Sequence, residues 1–171
     1  MILHAGLVAL RLGGLWRGAL IAGPSGVGKS DLALRALESG FRLVADDRTE
    51  VWASGGALYG RAPPPLAGLI EARGHGITPE PAIGLAEIVL MVRCVEDVAQ
   101  IARMPDPASE TLADLVIPLS YLDAREPSAP AKLRRAMQYL GGRAQQAYLP
   151  CSRGGGDRAR WEWGHPLRPR L

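Results

Sequence analysis

The residues with the clearest chemistry form one glycine-rich loop. This loop fits the Walker A pattern and comprises Gly23, Pro24, Ser25, Gly26, Val27, Gly28, Lys29 and Ser30. In such a loop the backbone N–H groups surround phosphate oxygens, the lysine reaches the β- and γ-phosphates, and the serine hydroxyl ligates Mg²⁺. Lys29 is one of only two lysines in the chain. The loop therefore predicts binding of a nucleoside triphosphate with Mg²⁺.

The second chemical feature is a pair of adjacent carboxylates, Asp46 and Asp47. They follow residues 41–45, an apolar run that predicts a buried strand. The carboxyl end of such a strand lies on the ligand side of an α/β sheet. One carboxylate could hold Mg²⁺, and its neighbour could accept a proton from an attacking hydroxyl. The alternative interpretation is a solvated turn at the end of a strand.

The flanking sequence predicts the elements that position these residues. Residues 2–12 and 16–22 predict two strands joined at Gly13 and Gly14, the second of which leads into the loop. Residues 31–38 predict the helix whose positive dipole end faces the bound phosphates. This order of strand, loop and helix is the context that a Walker A loop requires.

The remaining sequence predicts further short elements. The predicted strands are 51–53, 57–60, 87–95 and a segment within 111–119, and the predicted helices are 96–103 and 129–140. Residues 68–77 read as a loop-rich stretch that carries Glu71, Arg73 and His75. An ordinary surface ion pair between Glu71 and Arg73 is the alternative to a functional role.

Composition limits the domain count and the class of protein. With 171 residues and 47% hydrophobic content, the chain predicts one domain over 1–149, followed by a flexible Arg/Gly-rich tail over 150–171 that Trp161 and Trp163 could anchor. Arg11 interrupts the first apolar run, and no run is long enough for a membrane span, which predicts a cytoplasmic protein without a membrane partner.

The net charge is +3, but the arginines are scattered and aromatic residues make up 5% of the chain, which argues against nucleic acid as a partner. Cys94 and Cys151 are expected to be free thiols.

Four segments together resemble the catalytic C-terminal domain of bifunctional HPr kinase/phosphorylase, or HPr serine kinase, in a short form without the family's N-terminal domain. They are the His-Ala-Gly of residues 4–6, the loop at 23–30, residues 42–47 and the Glu-x-Arg-Gly-x-Gly-Ile signature within 69–77. The resemblance implies an α/β, P-loop-containing fold of the HPr kinase C-terminal-domain type, with a mixed sheet, flanking helices and a single domain.

The resemblance also implies an activity: ATP-dependent phosphorylation of a serine on HPr, the phosphocarrier of the sugar phosphotransferase system. It implies that Lys29 and the loop amides bind the phosphates of ATP. Ser30, Glu71 and Asp46 are the implied Mg²⁺ ligands.

For the catalytic groups, the resemblance implies that the aspartate pair supplies the base. Asp47 is the preferred proton acceptor and Asp46 the alternative, whereas His4 matches a histidine that polarises or relays to the aspartate. Arg103 matches the family's catalytic arginine, which would neutralise charge on the transferred phosphoryl group.

One departure from the family pattern concerns the reverse reaction. The family's Pro-Val-x-x-Gly-Arg segment, tied to dephosphorylation, is not recognisable, and residues 117–132 stand in its place. Kinase activity is therefore better supported than phosphorylase activity, and a homo-oligomer stays open. Two other functions also stay open: a P-loop small-molecule kinase or NTPase, and a non-catalytic module that senses nucleotide. A GTPase is disfavoured because the chain has no asparagine for an Asn-Lys-x-Asp guanine-reading motif.

Overall fold

The computed structural model describes residues 1–141. Within them the chain forms eleven strands and two α-helices. The elements are β1 (Ile2–Leu3), β2 (Gly6–Leu12), β3 (Leu15–Ala22), α1 (Lys29–Glu38), β4 (Arg42–Ala45), β5 (Thr49–Ser54), β6 (Ala57–Arg61), β7 (Leu69–Ala72), β8 (Gly76–Pro79), β9 (Ala86–Cys94), β10 (Ala108–Leu112), β11 (Leu115–Leu122) and α2 (Ala129–Tyr139). Neither described helix has the length and apolar character needed to cross a bilayer.

The main sheet has the strand order β1-β5-β6-β9-β3-β2-β4, with β11 also beside β9 and β10 beside β11. Strands β3, β9 and β11 are parallel to one another, and β4 points the same way because β2 is antiparallel to both β3 and β4. The carboxyl ends of β3, β4, β9 and β11 therefore meet at one edge of the sheet. This edge carries the glycine-rich loop and the aspartate pair.

The central strands are buried on both faces. Alternate residues of β2 point to opposite sides, so that Val8 and Leu10 pack with the helices while Leu7 and Ala9 pack into a second core. Both α1 and α2 cover the first face. Residues of β5, β6, β10 and β11 enclose the second. The mixed α/β single domain agrees with the fold class that the sequence predicted.

Both α-helices that form, and most strands, lie where the sequence predicts them. The helix at 31–38 falls within α1, and 129–140 corresponds to α2. The turn between β2 and β3 uses Gly13 and Gly14 at φ 59° and 83°, a conformation that glycine adopts readily.

Three predictions of local structure are wrong. Residues 2–12 are not one strand, because the chain breaks so that β1 pairs with β5 while β2 pairs with β3 and β4. Residues 68–77 are not a loop: most of them form the β7–β8 hairpin. Residues 96–103 form no α-helix, only the three-residue 3-10 turn Val98–Gln100, whose residues are all exposed.

The predictions for residues 150–171, including those for Trp161 and Trp163, lie outside the described residues, as does that for Cys151. Cys94 is described and is a buried free thiol, as predicted.

Candidate active site

The glycine-rich loop connects the end of β3 to the start of α1. Gly23, Gly26 and Gly28 have φ values of 150°, 81° and 102°, in the region that favours glycine. A Cβ on Gly23 would lie 2.6 Å from the carbonyl oxygen of Cys94 at the end of β9. Val27 is fully buried and anchors the middle of the loop in the core. The loop thus has a defined path that larger residues at the glycine positions would disturb.

Lys29 is the first residue of α1 and is buried, with 8% of its surface exposed. Its ammonium group donates to the carbonyl oxygens of Gly23 at 3.1 Å and Pro24 at 2.9 Å. An ammonium carries three N–H donors, and the described residues supply acceptors for two of them. The lysine therefore lies folded against its own loop with donor capacity left for an anion.

Asp46 links the loop to the strand beside it. The Ser30 hydroxyl donates to one carboxylate oxygen of Asp46 at 3.0 Å, and the backbone N–H of Glu71 donates to the other at 3.0 Å. Burial raises the pKa of Asp46, and the charge of Asp47 raises it further, while the bonds from Glu71 and Ser30 act in the opposite direction. Ser30 and Asp46 thus form a compact pair of oxygen donors beside Lys29.

Asp47 and His4 form a second, more open pair. The Nδ1 atom of His4 lies 3.2 Å from a carboxylate oxygen of Asp47, and both side chains are 56% exposed. Asp47 has φ 62°, an uncommon conformation outside glycine that aspartate tolerates better than most residues. The segment that holds His4 is tied down by the buried Thr49 hydroxyl, which donates to the carbonyl of Ala5 at 2.7 Å. One carboxylate of the aspartate pair is therefore accessible and the other is buried.

The structure brings the predicted Glu71 to this cluster through its backbone rather than its side chain. Its N–H contacts Asp46, whereas its side chain is exposed on β7. Among residues 1–141, no group of three or more His, Cys, Asp or Glu side chains could hold a metal ion. A cation at this site would need ligands from a bound nucleotide in addition to Ser30 and Asp46. Mg²⁺ is commonly held in this way.

Arg103 is not brought into contact with the loop. It lies in the exposed segment between β9 and β10, and no hydrogen bond or ion pair within the described part of the chain engages it. Because the expected helix at 96–103 does not form, no regular element positions the guanidinium. A catalytic role for Arg103 stays a prediction.

Cys94 lies under the loop without the properties of a nucleophile. Burial raises the pKa of its thiol to about 11, so the thiol is protonated near neutral pH. Its carbonyl group, rather than its sulfur, approaches Gly23.

Sequence reasoning missed the loop after β11. That strand extends to Leu122, beyond the predicted limit of 119, so the loop that begins at Asp123 emerges at the same edge of the sheet as the glycine-rich loop. Ala124 is fully buried, with its Cβ 3.5 Å from where a Cβ on Gly28 would lie, and Arg125 is beside it. The apolar residues Tyr121 and Leu122 were the signal that the strand continues.

Comparisons with known proteins point to one family. Residues 3–86 match the family model of the HPr Serine kinase C-terminal domain. The HPr kinase/phosphorylase of Clostridium novyi (strain NT) is 44% identical over 73 residues, which are 42% of this chain and 24% of that protein. The HPr kinase/phosphorylase of Lacticaseibacillus casei (strain BL23) is 51% identical over 61 residues, which are 35% of this chain and 19% of that protein.

A solved structure, that of the HPr(Ser) kinase/phosphatase from Coxiella burnetii, has the same fold. The TM-score is 0.67 at 21% sequence identity, and the superposition covers 81% of this chain and 94% of that chain. The matches to the two curated relatives, by contrast, span a quarter or less of their length.

Proposed function

We propose, from the premise that residues 3–86 belong to the HPr serine kinase C-terminal domain family, that this chain is an ATP- and Mg²⁺-dependent protein serine kinase whose acceptor is HPr. The observation that carries the proposal is the cluster of Lys29, Ser30 and Asp46 at one edge of the sheet, with the exposed Asp47–His4 pair next to it. A binding site and an accessible base candidate are thus adjacent.

The residues present fit a nucleotide with its metal. Gly26 and Gly28 leave the backbone of the loop free to approach phosphate, and an added Cβ at Gly26 would meet no atom within 4 Å. Lys29 would turn from its loop carbonyls to the β- and γ-phosphates. Ser30 and Asp46 are the hard oxygen donors that Mg²⁺ prefers, and bound Mg²⁺ would supply charge neutralisation on the phosphate oxygens.

The two aspartates are assigned different roles because their surroundings differ. Both carboxylate oxygens of Asp46 already accept hydrogen bonds inside the protein, which suits a ligand and not a proton acceptor for an incoming serine. Asp47 is exposed enough for a protein substrate to reach. It would orient the serine hydroxyl and take its proton, and His4 would hold the carboxylate in place.

The Asp47–His4 pair also favours the proposal over one of its alternatives. A module that only senses nucleotide has no use for an accessible carboxylate held by a histidine beside the phosphate loop. The direction of phosphate flow, the assembly state and a cytoplasmic location stay predictions.

The test is phosphoryl transfer from labelled ATP to purified HPr, with Asp47→Asn as the diagnostic variant. Asp114→Asn is a matched control, because Asp114 also has a positive φ, 63°, and lies in the β10–β11 turn at the opposite edge of the sheet. The expected result is transfer to a serine of HPr by the wild type and the control, and a loss of about 100-fold or more in Asp47→Asn. Equal transfer by both variants, or no transfer by the wild type, would overturn the proposal.

A further inference from the structure

The loop that follows β11 is hydrogen-bonded to α1, the helix that begins at the glycine-rich loop. Arg35 of α1 donates to the carbonyl oxygen of Glu126 at 3.0 Å and to that of Ala124. Its guanidinium also bonds to Asp31 one helical turn earlier, at 2.8 Å. One planar cation therefore holds the loop after β11 against α1.

Arg125 lies between the two carbonyl groups that Arg35 holds. Its backbone N–H donates to the Asp123 carboxylate at 2.9 Å, which closes a tight turn. The stem of Arg125 passes Gly28: its Cγ atom lies 3.9 Å from where a Cβ on Gly28 would be. The side chain is exposed, and no carboxylate within residues 1–141 forms an ion pair with it. An uncompensated cation thus lies beside the phosphate loop.

The topology determines which end of a nucleotide this cation would meet. The loop follows β3, and Asp46 approaches it from the β2–β4 side, whereas Arg125 approaches from the β9–β11 side. Because Ser30 and Asp46 are the candidate metal ligands, a nucleotide bound in the loop would have its metal end beside them. Arg125 would then face the opposite end, with the α-phosphate and the nucleoside.

We propose that Arg125 binds the nucleotide on the side away from the metal, and that Arg35 is a positioning residue that holds Arg125 there. The inference rests on the proposed function as far as nucleotide binding in the loop. Arg125 would be a second cation at the nucleotide site, in addition to Lys29. It comes from a segment in which no family motif is recognisable. Arg125 contributes to affinity for diphosphate and triphosphate alike, because its contact does not involve the γ-phosphate.

The experiment measures the dissociation constant of ADP by calorimetry, with Mg²⁺ and again with EDTA. The variants are Arg125→Ala, Arg35→Lys and the double substitution. Arg135→Ala is the control, since it removes the same charge from an exposed position on α2. Lysine at position 35 keeps the charge near Asp31 but lacks the planar fork that reaches two carbonyl groups. Thermal unfolding of each variant checks that the fold is retained.

We expect Arg125→Ala to weaken ADP binding about tenfold, the loss of one charge-assisted contact, by the same factor with and without Mg²⁺. Arg35→Lys should weaken it about threefold, and the double variant should be no weaker than Arg125→Ala because Arg35 acts through Arg125. The control should bind like the wild type. Additive losses would overturn the role of Arg35.

Two other results separate this inference from the proposed function. Unchanged ADP binding by Arg125→Ala, or a loss seen only with Mg²⁺, overturns the inference while nucleotide binding stands. A wild type that binds no ADP overturns both. Partial recovery of affinity by Arg125→Lys would support a role of the charge itself.

Discussion

Replacement of Asp46 by Asn or by Ala should separate its role in folding from its role in catalysis. The Asp46 carboxylate accepts one hydrogen bond from the Ser30 hydroxyl and one from the Glu71 backbone N–H, at 3.0 Å each. Asparagine can satisfy both partners, since its oxygen accepts from the N–H while its amide nitrogen donates to the hydroxyl oxygen. Alanine can satisfy neither.

The expected stability difference follows from these two contacts. Both variants lack the carboxylate charge, so their comparison isolates the hydrogen bonds. Leaving a partly buried polar group without its partner costs about 1 kcal/mol at the lower end of the usual range, and two such groups are affected. The free energy of unfolding of Asp46→Ala should therefore be about 2 kcal/mol lower than that of Asp46→Asn.

The pH dependence of the wild type supplies a second measure. Burial raises the pKa of Asp46 above 3.8 in the folded protein, so the folded chain binds more protons than the unfolded chain as the pH falls through the range just above 3.8. This contribution makes the wild type more stable at the lower pH, and it is absent from Asp46→Asn. The stability of Asp46→Asn relative to the wild type should thus be greater at about pH 7 than at about pH 4.

Urea denaturation measures these free energies, and transfer of label from ATP to HPr measures catalysis. Asp46→Asn should be folded but slower on the order of 100-fold, because a lost Mg²⁺ ligand misplaces the phosphates. If the Ala and Asn variants were equally stable, the two hydrogen bonds would not contribute the expected difference in the free energy of unfolding. If Asp46→Asn transferred phosphate at the wild-type rate, Asp46 would not be a metal ligand.

Three other predictions test the surroundings of the site. Gly23→Ala should destabilise the protein by about 2 kcal/mol more than Gly26→Ala, because only the first methyl group meets a backbone oxygen, at 2.6 Å; equal urea midpoints would contradict this. Thr49→Val should cost about 1–2 kcal/mol in thermal unfolding, since the buried carbonyl of Ala5 loses its donor, and an unchanged melting temperature would refute it. Lys29→Met should weaken ADP binding by about 100-fold, and calorimetry that shows wild-type affinity would remove the lysine from the phosphate site.

The local sequence was enough to predict the phosphate loop and the element on each side of it. The glycine positions, Lys29 and the amphipathic helix at 31–38 all lie within one short stretch, so no distant partner is needed to interpret them. The strand at 41–45 likewise carried its own signal, and it delivers Asp46 to Ser30 as expected. Fold class followed from this order of elements and from the family resemblance.

Prediction failed where distant residues decide the structure. The glycines of residues 68–77 suggest a loop, yet Glu71 pairs with Ile77 in a hairpin, and its backbone reaches Asp46 across 25 residues of sequence. The helix expected at 96–103 has no apolar face that another element covers, so the local helical pattern lacks the packing that would stabilise it.

The sequence by itself predicted a phosphate-binding loop within a strand-loop-helix unit, and it singled out Lys29, Ser30 and the aspartate pair as candidate chemical groups. Only the tertiary structure decided how these groups are arranged. It buries Asp46 and exposes Asp47, and it brings Arg125 to the loop through contacts from Arg35 that span 89 and 91 residues. The reason is physical: residue type sets what a side chain can do, whereas burial, charge and reach depend on neighbours that the fold supplies from distant parts of the chain.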